Sequence, residues 1–305
     1  MKSEMPDFGT VYAKHEAFIA PARARPELWR LLIGLGLGAI IMSGLNLALI
    51  SLASFLLGPG KAHVFLVELD GATTPMSTLY SLTSFGCITI GVLVAIYVMH
   101  DRNPLTVLGP IGPAVTAFCK LMQGLIVLYA LLFVLPPWSM GAPLIPNLEF
   151  SSWIALLPFS LIAVLIQSSA EEVLFRGYIQ QQLAVRFSSR WVWMGVPSVL
   201  FGLGHYIPAE AGENALLIAL WASIFGLLMA DLTARAGHLG PAIAVHFITN
   251  ISALLLTSLP DTLSGLALFT APFGLSNVAE LRAWLIVDYA MIIVCWLVAR
   301  LALRR

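Results

Sequence analysis

Long apolar runs separated by short polar breaks fill most of this chain. Eight runs of about 20 residues, the length that crosses a bilayer's hydrocarbon core, predict helices at 31–57, 78–99, 113–135, 153–175, 191–208, 215–234, 240–258 and 283–301. No period-two alternation marks strands, no internal repeat stands out, and no soluble domain is appended. The predicted fold class is therefore all-α: a polytopic membrane protein with about eight transmembrane helices. Basic residues give the orientation. Lys2, Lys14, Arg23, Arg25 and Arg30 precede the first run, Arg102 the third, Arg186 and Arg190 the fifth, and Arg235 the seventh. Arg300, Arg304 and Arg305 close the last, whereas the opposite connections carry little base beyond Lys61 and Arg282. Both termini are expected in the cytoplasm, with residues 1–30 as a cytoplasmic tail, 31–305 as one helical domain and 153–258 as its core.

Composition sharpens that picture. Of 305 residues, 59% are hydrophobic and 10% charged, against about 25% charged in soluble domains, and the mean hydropathy is +0.90. The net charge of zero offers no basic surface for nucleic acid. Cys87, Cys119 and Cys295 lie in apolar runs without metal-type spacing and are expected to be packing residues. The polar stretch ahead of the first run does not read as a cleavable signal peptide. Gly34, Gly36, Gly38 and Gly44 suggest close helix packing in the first run, and Pro136, Pro137, Pro143 and Pro146 a rigid external connection at 136–152.

Three polar clusters interrupt the second half. They are Glu171-Glu172-Val-Leu-Phe-Arg176, Phe201-Gly202-Leu-Gly204-His205, and His246-Phe-Ile-Thr-Asn250. Charges inside a membrane are costly and point to function. On a helix, Glu172 and Arg176 are four apart and can pair, which leaves Glu171 unattached. His246 and Asn250 share a face in the same way, while Gly202 and Gly204 clear space beside His205. Counting about 1.5 Å per residue from a turn near 187–189 puts Glu171 and His205 at similar depth, with His246 somewhat shallower. That match requires the fourth helix to continue through 177–186; alternatively, this stretch peels off as an interfacial amphipathic helix.

A carboxylate in such a cavity can act as general base on a water. His205 can help position that water, and His246 with Asn250 can donate to a developing oxyanion. Together these groups suffice for amide hydrolysis, and no Gly-x-Ser-x-Gly elbow offers a serine nucleophile. The three motifs, in this order, resemble those of the CPBP intramembrane proteases, which include type II CAAX prenyl endopeptidases and bacteriocin-processing or immunity proteins. Their pattern is Glu-Glu-x-x-x-Arg, Phe-x-x-x-His and His-x-x-x-Asn, and the likeness covers roughly 153–258. The resemblance implies that Glu171 and His205 activate water, that His246 and Asn250 form the oxyanion hole, and that Glu172 and Arg176 support them. No cofactor is expected; zinc at Glu171, His205 and His246 is the minority reading, since the helical His-Glu-x-x-His spacing is missing. The expected partners are the lipid bilayer and a peptide or membrane-protein substrate, in a bacterial inner (plasma) membrane. Two alternatives stay open: a non-proteolytic partner such as a bacteriocin immunity or scaffolding protein, and a transporter with a Glu–His proton relay, although the inverted repeats of such transporters are not evident.

Overall fold

The structure is a computed structural model that describes residues 10–134 and 143–303. Its apolar helices follow the predicted runs. They are α1 (Leu28–Leu57), α2 (Pro75–His100), α3 (Ile111–Val134), α4 (Phe150–Ala184), α5 (Trp191–Gly204), α6 (Ala215–Ala236), α7 (Gly240–Leu256) and α8 (Val278–Leu303). Six of the described helical segments are long and apolar enough to span a bilayer, and α5 and α7 are shorter. The protein is thus a polytopic, all-α integral membrane protein. Helix α5 ends at Gly204, short of the predicted 208, because the glycines Gly202 and Gly204 weaken it and Pro208 cannot continue its ladder.

Burial sorts the helices. None of the most apolar window of α1 is buried, and Leu32, Ile40, Leu47, Phe55 and Leu56 on it are exposed, which is the pattern of a lipid-facing helix. Half of the corresponding window of α6 is buried, so α6 is central. Two of the four glycines in α1 do pack closely. A Cβ at Gly34 would strike the Tyr178 hydroxyl, and Gly38 faces Gly91 of α2, whereas Gly36 and Gly44 look into open space. Cys87 and Cys295 are buried as expected; Cys119 is exposed instead.

Outside the predicted runs, Pro59–Gly71 forms a further helix that buries Ala62 and Phe65. A small sheet also lies outside them: β1 (Ile145–Pro146) pairs antiparallel with β3 (Phe269–Thr270), and β2 (Thr257–Ser258) pairs parallel with β3. It ties the end of the 136–152 connection, of which residues 136–142 lie outside the described residues, to the segment after α7. Asn147 strengthens the tie by donating to the carbonyls of Ser264 and Ala267, both at 2.8 Å.

Helix α4 settles the question of continuity. It runs unbroken for 35 residues, about 52 Å at 1.5 Å per residue, with Val173–Ile179 wound as a π-helix. The part beyond a bilayer's thickness is not interfacial. Tyr178, Gln180, Gln181 and Gln182 are fully buried in protein, and the amide N–H ends of the glutamines find protein partners. Gln180 Nε2 donates to Ala230 O at 3.3 Å, and Gln181 Nε2 to Phe18 O and Thr106 O at 3.0 and 3.1 Å. Gln182 Nε2 lies 3.1 Å from His100 Nδ1. The turn falls where the count placed it, with 187–189 outside any helix.

Within the segment read as a tail, Thr10–Tyr12, Ala13–Ile19 and Ala20–Ala24 are helical and pack onto this inner end. Tyr12 donates to Asp231 Oδ1 at 2.6 Å, and Asp231 also accepts from Arg235 Nε at 2.8 Å and from Trp296 Nε1 at 2.9 Å. The guanidinium groups of Arg190 and Arg235 sit 5.0 and 5.3 Å from the centre of the Tyr12 ring. Burial, and then the bond to Asp231, push the Tyr12 phenol up to about 12. A raised folded-state value means that this contribution is complete below pH 10 and is lost as pH rises from there through 12. The N-terminal segment is expected to become protease-sensitive over that window, and Tyr12→Phe, which cannot ionise, to lose the pH dependence while costing about 1 kcal/mol at neutral pH. Limited proteolysis against pH checks both.

Candidate active site

Three helices bring the polar clusters together near the middle of the bundle, and each has a π-helical stretch. These are Val173–Ile179 just after Glu172, Trp191–Gly195 at the start of α5, and Ser252–Leu256 just after Asn250. Such insertions are frequent at functional sites, because one extra residue per turn re-aims the side chains that follow.

Glu172 and Arg176 pair as their spacing requires, NH1 to Oε1 at 3.1 Å, with side chains 0% and 1% exposed. The same Glu172 oxygen accepts from His246 Nδ1 at 2.8 Å. The other ring nitrogen, Nε2, lies 3.3 Å from Glu171 Oε2. His246 therefore bridges the two glutamates, and Glu171, read from sequence as unattached, has a partner. It is also the accessible member of the chain, at 12%. The shallower depth counted for His246 is corrected too. Helix α7 starts beside the start of α3, its Gly240 packed on the Ala114 backbone and Leu239 N bonded to Leu108 O at 3.1 Å, and the direct contacts of His246 with both carboxylates place it level with them.

The hydrogen bonds constrain the protons. A carboxylate only accepts, so His246 Nδ1 is a donor. Nε2 lies at ion-pair distance from Glu171, an attractive contact when the ring carries its second proton. Two carboxylates, one guanidinium and that extra proton sum to zero charge, the state a buried cluster tolerates best. Arg176 is further sandwiched by aromatic faces, 4.9 Å from the ring centre of Phe201 and 5.8 Å from that of Phe175.

His205 caps the end of α5, half-buried. Its Nδ1 lies 2.9 Å from Phe201 O and, against a carbonyl, must be the donor, so in the neutral ring the lone pair is on Nε2. The Phe201 ring joins it to the cluster, with centroids 4.6 Å from His205 and 6.1 Å from His246. Asn250, one turn beyond His246 and half-buried, donates through Nδ2 to Gln167 Oε1 at 2.7 Å. All six predicted side chains thus belong to one region. Glu171, Glu172, Arg176 and His246 are in direct contact, and His205 and Asn250 are attached through Phe201 and Gln167.

Two neighbours were missed. Gln167 shares the Glu171 face of α4 at four-residue spacing, a signal that could have been used. Phe225, which sets its ring edge-to-face on His246 at 4.9 Å, looks from sequence like any core aromatic. It reaches the site because Gly202 and Gly226 let α5 and α6 close. A Cβ at Gly202 would lie 2.5 Å from Ala219 O, and one at Gly226 would lie 3.1 Å from Arg176 NH2. Gly204, by contrast, faces nothing within 4 Å. Gly202→Ala is expected to cost about 1–3 kcal/mol by overpacking, read as a lower Tm in detergent.

His246 Nδ1 is hydrogen-bonded to Glu172, and Nε2 lies at ion-pair distance from Glu171. Among the described residues no group of three or more His, Cys, Asp or Glu side chains is arranged to hold a metal ion.

With this geometry in place, the comparisons with known proteins are informative. Residues 152–252 match the family model of the type II CAAX prenyl endopeptidase Rce1-like proteins, in agreement with the resemblance carried by the three motifs. The chain is also similar to the uncharacterized protein YyaK of Bacillus subtilis (strain 168), at 24% identity over 247 residues, covering 77% of this chain and 80% of that protein. No solved structure matches.

Proposed function

We propose that the protein is an intramembrane endopeptidase that hydrolyses a peptide bond in a membrane-associated or lipidated protein with a water activated by Glu171. The observation that carries this reading is the buried chain Arg176–Glu172–His246–Glu171, which ends in a partly accessible carboxylate. The match of the surrounding segment to an endopeptidase family supports the reaction class. Glu171 takes a proton from water as its oxygen attacks the carbonyl carbon. The lone pair on His205 Nε2 receives the water's other hydrogen in a hydrogen bond and so orients it. His246, fixed by Glu172 through Nδ1, and the second N–H of Asn250 donate to the carbonyl oxygen as it gains charge. The proton held by Glu171 then passes to the departing amine, the C–N bond breaks, and the new carboxyl group leaves, losing the water's other proton to solvent.

The substrate class is a CAAX-type or transmembrane peptide, and the bacterial relative is consistent with a bacterial plasma membrane as the setting. Quantitative proteomics of membranes carrying wild-type or Glu171→Ala protein tests the reading. One or a few full-length membrane proteins should accumulate with the variant. Identical profiles would instead favour a partner protein that binds without cleaving.

A further inference from the structure

Helices α4 and α7 lie side by side, and their polar contacts form a ladder. The inner rung is Glu171 and Glu172 with His246. One helical turn outward, about 5.4 Å, the next rung is Gln167 with Asn250. Gln167 stands four residues before Glu171, and Asn250 four residues after His246. Counting outward along α4 therefore matches counting forward along α7, as it must for antiparallel neighbours. Farther out, Trp153 Nε1 donates to Leu255 O at 2.8 Å and adds a separate tie between the two helices.

The Gln167 contact does something the other rungs do not. Asn250 carries two amide protons, and Gln167 holds one of them. Gln167 is 8% exposed, and its Oε1 accepts from Asn250 Nδ2 at 2.7 Å and from the neighbouring Ser168 hydroxyl at 3.3 Å. With one proton of Nδ2 bound there, the amide plane is set, the O and N ends cannot exchange, and the remaining N–H has a defined direction. A glutamine is suited to this place because it supplies an acceptor without adding a third negative charge beside Glu171 and Glu172.

We infer that Gln167 is a positioning residue that orients the Asn250 amide so that its second N–H meets the substrate oxygen; this rests on the hydrolytic reading above. Two measurements on the full-length protein in detergent test it. The first needs no substrate. In protein with 15N-labelled side-chain amides, the bound Asn250 proton, assigned by its loss in Asn250→Ala, should exchange with water more slowly than in Gln167→Met, which keeps the length but has no acceptor. Unchanged exchange overturns the inference. The second uses an internally quenched peptide with a prenylated CAAX terminus. Gln167→Met should lower kcat about 10-fold to 100-fold, the range for groups that orient a functional residue, and leave KM unchanged. In an Asn250→Ala background the same substitution should have no further effect. Additive losses, or a wild-type kcat in Gln167→Met, overturn it. Gln167→Leu repeats the measurement should Gln167→Met fail to fold. Wild-type cleavage by Glu171→Ala would sink the hydrolytic reading alone, since the amide exchange still decides the Gln167 contact.

Discussion

Replacing Arg176 by methionine is expected to destabilise the protein by about 3–5 kcal/mol, the usual result of leaving one member of a buried ion pair without its counter-charge. Glu172 is fully buried, so its carboxylate cannot turn to solvent when the guanidinium is removed. It would keep only the Nδ1–H of His246, 2.8 Å away. The double variant Glu172→Leu/Arg176→Met provides the control. It buries no isolated charge and is expected to unfold at higher temperature than either single variant, a non-additive result diagnostic of a coupled pair. That double variant should nonetheless be inactive, because His246 Nδ1 has lost the acceptor that fixes its ring. Thermal unfolding in detergent reads stability and peptide cleavage reads activity, and the two should separate.

Glu171→Gln is expected to act in the opposite way, with little change in stability and a fall in kcat of about 10²–10⁴-fold, the contribution of a positioned general base. The substitution keeps size and an oxygen beside His246 Nε2 but removes the basic site. The side chain is the partly accessible end of the chain, so an amide there finds room without leaving a charge buried. KM should barely move, because the loss falls on the transition state rather than on ground-state binding. His205→Ala should also lower kcat, since its Nε2 lone pair is the second group able to accept from the water.

Much of this arrangement was legible in the sequence, for physical reasons. Span positions follow from the cost of burying polar backbone and charge in hydrocarbon, so each apolar run became a helix. The Glu172–Arg176 pair follows from four-residue spacing alone. What spacing could not give was anything that depends on two helices at once. That His246 would reach across to both glutamates depends on where α7 begins against its neighbours, which is set by Gly240 against Ala114. That α4 would continue past Arg176 depends on glutamines finding partners in the N-terminal segment and the 104–108 turn. Read as a string, Gln180-Gln181-Gln182 looks like a surface stretch; in the fold it is the polar hub of the inner face. The N-terminal segment gave the weakest signal, since Tyr12 reveals its role only once Asp231 and Trp296 are beside it.

The central claim is that Glu171 activates the hydrolytic water, and one side-by-side measurement bears on it most directly. A membrane protein that accumulates in cells carrying the Glu171→Ala form is purified and incubated with wild-type or Glu171→Gln protein in detergent, and the products are mapped by mass spectrometry. The account predicts a single new cleavage with the wild type and none with the variant, whose thermal unfolding is unchanged. Cleavage at the same bond and the same rate by Glu171→Gln would contradict it.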